Sequence, residues 1–375
     1  MNWQQAALTI SDLPQYFYGS AQRILAVQTQ DGAIPWYRDG PWDPWNHTEC
    51  AMALSALDQR AAAEQAYACL ARRQKADGSW LADYGNAVPM KDRLTMSRGP
   101  APQAHDTNFA AYCAVGILHH TLCFDDFDFA RRYWPTVSRA MGFILSLQTS
   151  TGDIPWSLEA AQLKLSEPLL AGNASMFKSL ECALRLAVLL GEDTDWLERG
   201  RNRLGHAIER ASQSLPPTGG GFAMDWYYPV LAGALPRVAA TERLDDRWDQ
   251  FVESGRGCRC VAHEPWVTVA ETCELVLALL SVGRRHRALQ LLDSQLRYRD
   301  SDGSFWMGWQ FDEQIFWPAE KPTWTQAAVI LASDAFFESS RAHDLLIRHA
   351  SYRRRSTRRL ATASTSSNRP DANAS

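Results

Sequence analysis

Carboxylate side chains accompany tryptophans in several segments of this chain, a combination that suits the binding and cleavage of sugars. Two carboxyl groups commonly cleave a glycosidic bond, one protonating the leaving oxygen and the other acting as base or nucleophile. Four carboxylates are candidates because each lies at or near the predicted start of a buried helix: Asp106, Glu264, Asp225 and Glu271. The start of a helix favours an ionised carboxylate, so we expect Asp106 to be the base. Glu264 adjoins a Pro-Trp pair that can raise its pKa, and we expect it to be the acid.

The side chains predicted to bind the substrate are aromatic or form hydrogen bonds, and they lie just before these helices or in their first turns. Tryptophan has two uses in such a pocket: its face stacks on a sugar ring, or it lines a cavity that holds an isoprenoid chain and stabilises a carbocation. The neighbouring carboxyl, amide and imidazole groups favour a carbohydrate, whose many hydroxyls they can pair. The predicted set is Trp36, Trp42, Trp45, His47, Glu49, His105, Asn108, Trp226, Tyr227, Tyr228, Trp266, Trp306, Trp309, Trp317 and Trp324.

Two kinds of helical segment alternate along the chain and must position these residues. One kind has charged residues along one side, as expected of peripheral helices, and lies near 14–28, 62–74, 129–148, 194–213, 241–254 and 285–298. The other kind is apolar almost all round, as expected of helices buried on every side, and lies near 46–58, 106–122, 173–190, 225–235, 266–282 and 323–337. The order predicts six peripheral helices, each followed by a central one.

Short turns rich in Gly, Asp and Trp separate the two kinds of helix. The clearest read QTQDGAIPW, QKADGSW, QTSTGDIPW and RDSDGSFWMGW. Their Asp-Gly and Gly-Asp pairs tolerate the left-handed backbone that ends a helix. Polar residues near the predicted starts of the central helices are expected to be N-caps: Asn46, Asp106, Asn173, Asp225 and Thr323.

Repetition on this scale decides the architecture, because one helix pair cannot bury its apolar face alone and several pairs must stack or close. The repeats differ in length, which favours a closed ring over an open solenoid of regular repeats. The sequence therefore predicts an all-α fold, an (α/α)6 toroid in which six outer helices surround six inner ones. The inner helices of such a ring are parallel, so their N-terminal ends converge on one cavity.

A helix that ends in Gln, followed by three residues, Gly and then Trp, resembles the QW repeat of terpenoid cyclases; ACLARRQKADGSW (68–80) is the closest copy. This resemblance implies the α/α toroid shared with protein prenyltransferase β subunits, and an isoprenoid-acting protein in which His105 and Asp106 replace the usual acid motif. In size and in its aromatic, acidic turns the chain is also similar to six-hairpin glycosidases, unsaturated-uronide hydrolases and sugar epimerases, which use the same barrel.

Composition removes several other functions. A net charge of -4 gives no reason to expect nucleic acid or an anionic membrane as partner. No run reaches the roughly 18 apolar residues of a membrane span, and the N-terminus has no secretory pattern. Most of the 8 cysteines lie in apolar helical segments, which is typical of a reducing compartment and predicts a cytoplasmic location. We expect no cofactor and no metal, since neither a phosphate-binding loop nor a set of metal ligands is found.

These patterns predict one toroid domain over 1–347 and a basic, then Ser/Thr-rich tail without fixed structure over 348–375. The leading hypothesis is an enzyme that acts on a carbohydrate or glycoconjugate by carboxylate acid/base chemistry at the N-terminal ends of the inner helices. Two alternatives stay open: an isoprenoid-acting protein of the terpene cyclase or prenyltransferase type, and a glycan-binding scaffold without activity. Hydrolysis, elimination and isomerisation are not separated by the sequence, and the oligomeric state is not determined.

Overall fold

The computed structural model describes residues 16–85, 104–159, 164–214 and 221–348; the predicted tail beyond 348 lies outside them. The helices in this part of the chain are α1 Tyr18–Val27, α2 Pro44–Ala56, α3 Arg60–Arg73, α4 Thr107–Phe124, α5 Phe127–Ser146, α6 Leu170–Leu190, α7 Asp195–Ser214, α8 Ala223–Leu231, α9 Arg237–Asp246, α10 Trp248–Phe251, α11 Val269–Ser281, α12 Arg285–Ser294 and α13 Thr323–Phe337. A 3-10 turn, Gln295–Tyr298, continues α12.

The alternation of peripheral and central helices is confirmed. Helices α2, α4, α6, α8, α11 and α13 are buried on most sides, as their nearly uniform apolar sequences predict. Helices α1, α3, α5, α7, α9 and α12 each follow or precede one of them and expose a polar or charged side. The predicted segment 241–254 is the one clear difference, because α9 ends at Asp246 and the chain then forms the single turn α10 and a strand.

Only one of the five predicted N-caps is confirmed. Asp106 caps α4 by accepting the backbone N–H of Phe109 at 2.8 Å. Asn46 lies inside α2, whose cap is Asp43. The other three also lie within their helices, and their side chains bond to neighbouring segments instead; these are Asn173, Asp225 and Thr323. Of these five polar residues, three therefore join neighbouring segments, and one caps its own helix.

The glutamine that ends a peripheral helix fastens that helix to the next peripheral one. Gln74 Nε2 donates to the carbonyls of Gly78 in its own turn and Thr136 in α5. Gln28 and Gln148 make the equivalent pairs of bonds, reaching α3 and α7. Each turn glycine has a positive φ, for example +92° at Gly78, where a Cβ would lie 2.2 Å from the Arg139 carbonyl oxygen. The repeated Gln and Gly residues thus allow each turn to pack closely against the next peripheral helix.

The central helices pack in cyclic order. Helix α2 contacts α4, α4 contacts α6, α6 contacts α8, α8 contacts α11, α11 contacts α13, and α13 contacts α2. On the peripheral side, the last glycine turn reaches α1, since Ser20 Oγ donates to the Gly303 carbonyl at 3.2 Å. In this order α2 lies opposite α8, and α4 lies opposite α11.

Ten short strands, none of which the sequence analysis predicted, lie in the described segments: β1 Pro41–Trp42, β2 Tyr84–Gly85, β3 Ala104–Asp106, β4 Ser157–Glu159, β5 Lys164–Leu165, β6 Val252–Glu253, β7 Gly257–Arg259, β8 Trp266–Thr268, β9 Gly308–Gln310 and β10 Ile315–Phe316. They form three antiparallel sheets, β1-β2, β3-β4-β5 and β10-β9-β8-β7-β6. In the largest sheet, Val267 of β8 pairs with Trp309 of β9. With two or three residues each, the strands are too short for a pattern of period two to reveal them.

Hydrogen bonds join the N-terminal end of every central helix to the next central helix or to the segment leading into it. Among them, Thr107 N donates to Trp156 O at 3.0 Å, Ala223 N to Cys260 O at 3.0 Å, Val269 N to Met307 O at 3.0 Å and Thr323 N to Trp36 O at 2.9 Å. The pairing of β1 with β2 and a bond from Ala171 N to Asp225 complete the circuit. All six central helices therefore begin at one end of the molecule, which we call the mouth.

Candidate active site at the mouth

Asp106 is a buried carboxyl group at the mouth. It caps α4, and its side chain is almost fully excluded from solvent. Burial raises its pKa to about 7, and the nearby charges of Asp43 and Asp83 act in the same direction. The raised pKa runs against the expectation that the helix start keeps Asp106 ionised, because the cost of burying a charge exceeds what the backbone N–H groups of Asn108 and Phe109 supply. A carboxyl group with a pKa near 7 suits a general acid.

Glu271 lies in the first turn of α11, opposite Asp106 in the ring of central helices. It is partly exposed, and its Oε2 accepts the hydroxyl of Thr268. No hydrogen bond from Glu271 to a histidine side chain is found within the described residues. A partly exposed carboxylate can act as base or nucleophile towards a ligand lying between α4 and α11.

The other two predicted catalytic carboxylates have different surroundings. Asp225 accepts the backbone N–H of Ala171 at 3.1 Å and lies near Arg243, so it joins the starts of α6 and α8. Glu264 precedes β8, and its side chain is 38% exposed, with His263 at 3.6 Å. The aromatic burial that was expected to make Glu264 an acid is therefore absent at this position, where the neighbouring Trp266 faces Trp317.

An aromatic floor closes the mouth. Trp45, in the first turn of α2, contacts Phe109 and Tyr112 on α4 at ring distances of 5.9 and 5.5 Å. It also contacts Tyr228 on α8 edge to face at 5.8 Å. Because α2 and α8 lie on opposite sides of the ring, these contacts span its axis. Trp45 remains partly exposed, so a ligand in the mouth can reach it.

Two glutamates face one another below this floor. Glu49 accepts the indole N–H of Trp45 at 3.0 Å and the hydroxyl of Tyr112 at 3.1 Å. Glu274 accepts the hydroxyl of Tyr227. Burial raises the pKa of Glu49 to about 7, and burial together with the charge of Glu49 raises the pKa of Glu274 well above its ordinary value. The pair therefore retains at least one proton at neutral pH.

The sequence analysis missed Glu274, and it also missed Phe109 and Tyr112 of the aromatic floor. Glu274 lies three residues after Glu271 in the otherwise apolar run AETCELVLALL. A carboxylate inside such a run needs a buried partner, and that signal was available in the sequence. Its partner Glu49 lies on a helix more than 200 residues earlier, so only the closed packing of α2 with α13 and α13 with α11 identifies the pair.

Several predicted binding residues point away from the mouth. His47 bonds through both ring nitrogens, to Ile34 N and Ala66 O, and burial lowers its pKa to about 4. His105 is held by Ser79 and Lys75 in a peripheral turn. Trp42 stacks on Tyr84 at 4.5 Å and Trp226 on Phe251 at 5.2 Å, both almost fully buried, and Tyr227 is buried against Glu274. These side chains support the walls of the site and do not line it.

The remaining aromatic residues form the rim. Trp36 donates its indole N–H to Asp43 at 2.7 Å and meets Trp324 edge to face. Along the five-stranded sheet, Trp306 stacks on Phe316 at 5.0 Å, and Trp309 meets the same ring edge to face. Trp266 donates to the Trp317 carbonyl at 2.6 Å. All but Trp266 are partly exposed and can present a ring face to a ligand.

Asn108 adds a hydrogen-bonding group in the first turn of α4. Its side chain is buried, and its Oδ1 has no hydrogen-bond partner among the described residues. A buried amide oxygen without a partner costs free energy, which a water bound next to it would lower. In the same part of the chain, no group of three or more His, Cys, Asp and Glu side chains is arranged to hold a metal. No described helix is long and apolar enough to cross a bilayer.

No family model matches the chain. A mannosidase of Mycolicibacterium hassiacum, described as MMP endo-(1,4)-3-O-methyl-alpha-D-mannosidase, is 41% identical to it over 322 residues, which are 86% of this chain and 86% of that protein. The chain belongs to the family of this mannosidase. It is a glycoside hydrolase, and the predictions of an enzyme and of a carbohydrate substrate are confirmed.

Solved structures of glycosidases share the fold of this hydrolase. A wild-type glycosidase aligns with a TM-score of 0.66 over 90% of this chain and 98% of that chain, at 13% identity. The GH63 mannosylglycerate hydrolase from Thermus thermophilus, in complex with glucose, aligns with a TM-score of 0.64 over 84% of this chain and 99% of that chain, at 14% identity. At these identities the likeness shows a common, mostly helical glycosidase fold. The isoprenoid and inactive-scaffold alternatives are set aside by the family.

Proposed function

We propose that this hydrolase cleaves an α-(1→4)-linked mannose polysaccharide that carries 3-O-methyl groups, and that it cuts within the chain. The proposal rests on the identity of 41% to the Mycolicibacterium hassiacum mannosidase over most of both chains. One observation on the site carries it furthest: carboxyl groups on opposite central helices, Asp106 and Glu271, flank a mouth floored by an aromatic ring. A cytoplasmic location stays a prediction from the cysteines.

The finer architecture belongs to the same proposal. We infer a closed (α/α)6 toroid, as the sequence predicts, from the cyclic packing of the central helices and from the contact between the last glycine turn and α1. In a closed toroid the six helix starts surround one opening. A polysaccharide crossing that opening would meet groups from helices far apart in sequence.

Asp106 is the proposed general acid and Glu271 the proposed base or nucleophile. A general acid must be protonated near neutral pH, and burial gives Asp106 a pKa of about 7. Its partner must be able to reach water or the sugar, and Glu271 is partly exposed. This assignment exchanges the role that the sequence analysis gave to Asp106. Glu264 and Asp225 become residues that hold the mouth together or border it.

Cleavage within a chain requires binding positions on both sides of the bond, and the aromatic residues are distributed accordingly. Trp45 lies at the floor, Trp36 and Trp324 lie where α2 and α13 begin, and Trp306 and Trp309 extend along the five-stranded sheet. Flat aromatic faces stack on the apolar faces of sugar rings, and a methyl ether enlarges such a face.

The test is hydrolysis of a 3-O-methylated α-(1→4)-mannose polysaccharide, with the product sizes followed by mass spectrometry. We expect mid-chain cleavage that gives oligosaccharides before monosaccharides. An unmethylated α-(1→4)-glucan of similar length is the control and should be cleaved poorly. Release of monosaccharide only, or equal rates on both polymers, would contradict the proposed substrate. Asp106→Asn and Glu271→Gln should each lose most of their activity while still binding the polymer.

A further inference from the structure

The ring of Trp45 is held in one orientation from three sides. Phe109 and Tyr112 contact it from α4, and Tyr228 meets it edge to face from α8 across the axis of the ring. Trp45 is the second residue of α2, so it lies one turn nearer the mouth than Glu49. Its partial exposure and this position leave one part of the ring turned towards the mouth.

The polar end of the same ring is fixed by Glu49. The indole has a single donor, and its N–H reaches Glu49 Oε1 at 3.0 Å. The separation of four residues places the two side chains on one face of α2. Tyr112, which also packs on Trp45, donates to the same oxygen at 3.1 Å. Any movement of Glu49 would therefore tilt the indole against its aromatic neighbours.

The space below Trp45 is too small for a sugar. Glu49 and Glu274 border a cavity of about 20 Å³. A cavity of this volume holds about one water. Its other walls include Leu231, Leu277 and Leu346. A sugar ring does not fit into this cavity, so we expect Trp45, and not the cavity beside Glu49, to carry the stacking contact.

We propose that Glu49 is a positioning residue that sets the tilt of Trp45, and that Trp45 so held is the platform on which one sugar of the substrate stacks. This rests on the proposed function, because it places the glycan in the mouth. Stacking is sensitive to the angle between ring and sugar. A change at Glu49 should thus act on binding of the substrate more than on the chemical step, which involves groups on α4 and α11.

Glu49→Asp tests this because it keeps a carboxyl group but withdraws it from the indole. We expect KM to rise about three- to tenfold with kcat nearly unchanged, as for loss of one aromatic contact. Glu49→Gln keeps an acceptor oxygen in place and should return KM towards the original value. Trp45→Phe should raise KM similarly, and the double variant Trp45→Phe, Glu49→Asp should raise KM no further.

Trp80→Phe is the matched control. It removes a buried indole bond to the Leu70 carbonyl in the peripheral layer, so it should lower only the melting temperature.

A second measurement needs no substrate. The indole N–H of Trp45, assigned by its absence in Trp45→Phe, should be protected from hydrogen exchange in the original protein and in Glu49→Gln but not in Glu49→Asp. An unchanged KM with a lowered melting temperature in Glu49→Asp would show a structural role only and overturn the inference. Equal KM increases in Glu49→Asp and Glu49→Gln would overturn it too. If the mannose polymer is not cleaved at all but N–H protection follows the expected pattern, the proposed substrate fails while the link from Glu49 to Trp45 stands.

Discussion

The peripheral turns and the interior of the mouth use similar polar residues in opposite ways. In the turns, Gln28, Gln74 and Gln148 make the same two bonds each time, to their own glycine turn and to the next peripheral helix. In the mouth, Asp106, Glu49 and Glu274 have no repeated pattern, and burial raises the pKa of each. The turns are satisfied locally and stabilise the fold. The mouth concentrates carboxyl groups at a cost in free energy, which is typical of a functional site.

The sharpest test of this contrast replaces the same residue type in both regions. Asp106→Asn keeps an N-cap but removes the acid, so kcat should fall by about 10² to 10⁴. Asp126→Asn is the matched control, because Asp126 caps the peripheral helix α5 with the same bond to the third residue, Phe129 N. It should retain its activity. Comparable losses in the two variants, measured as initial rates of reducing-end formation, would show that Asp106 matters only as a cap.

The pH dependence should differ between the two regions as well. With a folded pKa of about 7, Asp106 is protonated below that pH, so kcat/KM should fall about tenfold per unit as pH rises above 7. The same raised pKa stabilises the folded protein fully below the unfolded value near 4, and this contribution is lost as pH rises through 7. The melting temperature of Asp106→Asn should therefore depend less on pH over this interval. Identical pH profiles of both proteins in thermal unfolding would contradict the raised pKa.

A smaller effect is expected when a turn glycine is changed. Gly78→Ala places a Cβ 2.2 Å from the Arg139 carbonyl oxygen at a φ of +92°, so it should destabilise the fold by about 1–3 kcal/mol. Gly142→Ala in α5 is the control, since nothing lies within 4 Å of its added Cβ, and a helical alanine should stabilise by about 0.5–1 kcal/mol. Denaturant unfolding measures both. The kcat of the folded Gly78→Ala protein should be unchanged.

The smallest expected effect is loss of one glutamine link. Gln148→Ala removes the bonds to the Gly152 and Gly200 carbonyls at 2.8 and 3.0 Å, which should cost about 1–2 kcal/mol of stability. Activity should follow the fraction folded. A loss of activity larger than the loss of folded protein would mean that the turns also shape the mouth, and the distinction between the two regions would have to be withdrawn.

Much of the fold could be predicted because its signals are local. The apolar runs that become α4, α6, α11 and α13, and the Gln-Gly turns between peripheral and central helices, appear directly in the sequence. The bounds of α9 were less predictable, because the pairing of β6 with β7 competes with helix beyond Asp246. The short strands around the mouth form only where segments distant in sequence meet, so no local pattern announces them.

The sequence by itself determined the order of helices, their buried faces and the accumulation of tryptophans and carboxylates before the central helices, since these depend on neighbours along the chain. Only the tertiary structure decided which of those groups face the mouth. It turned His47 and His105 towards the peripheral turns, brought Glu274 to Glu49, and buried Asp106 deeply enough to raise its pKa. The physical reason is that burial and charge depend on what packs against a side chain, and the packing of the central helices brings together residues that lie hundreds of positions apart in the chain.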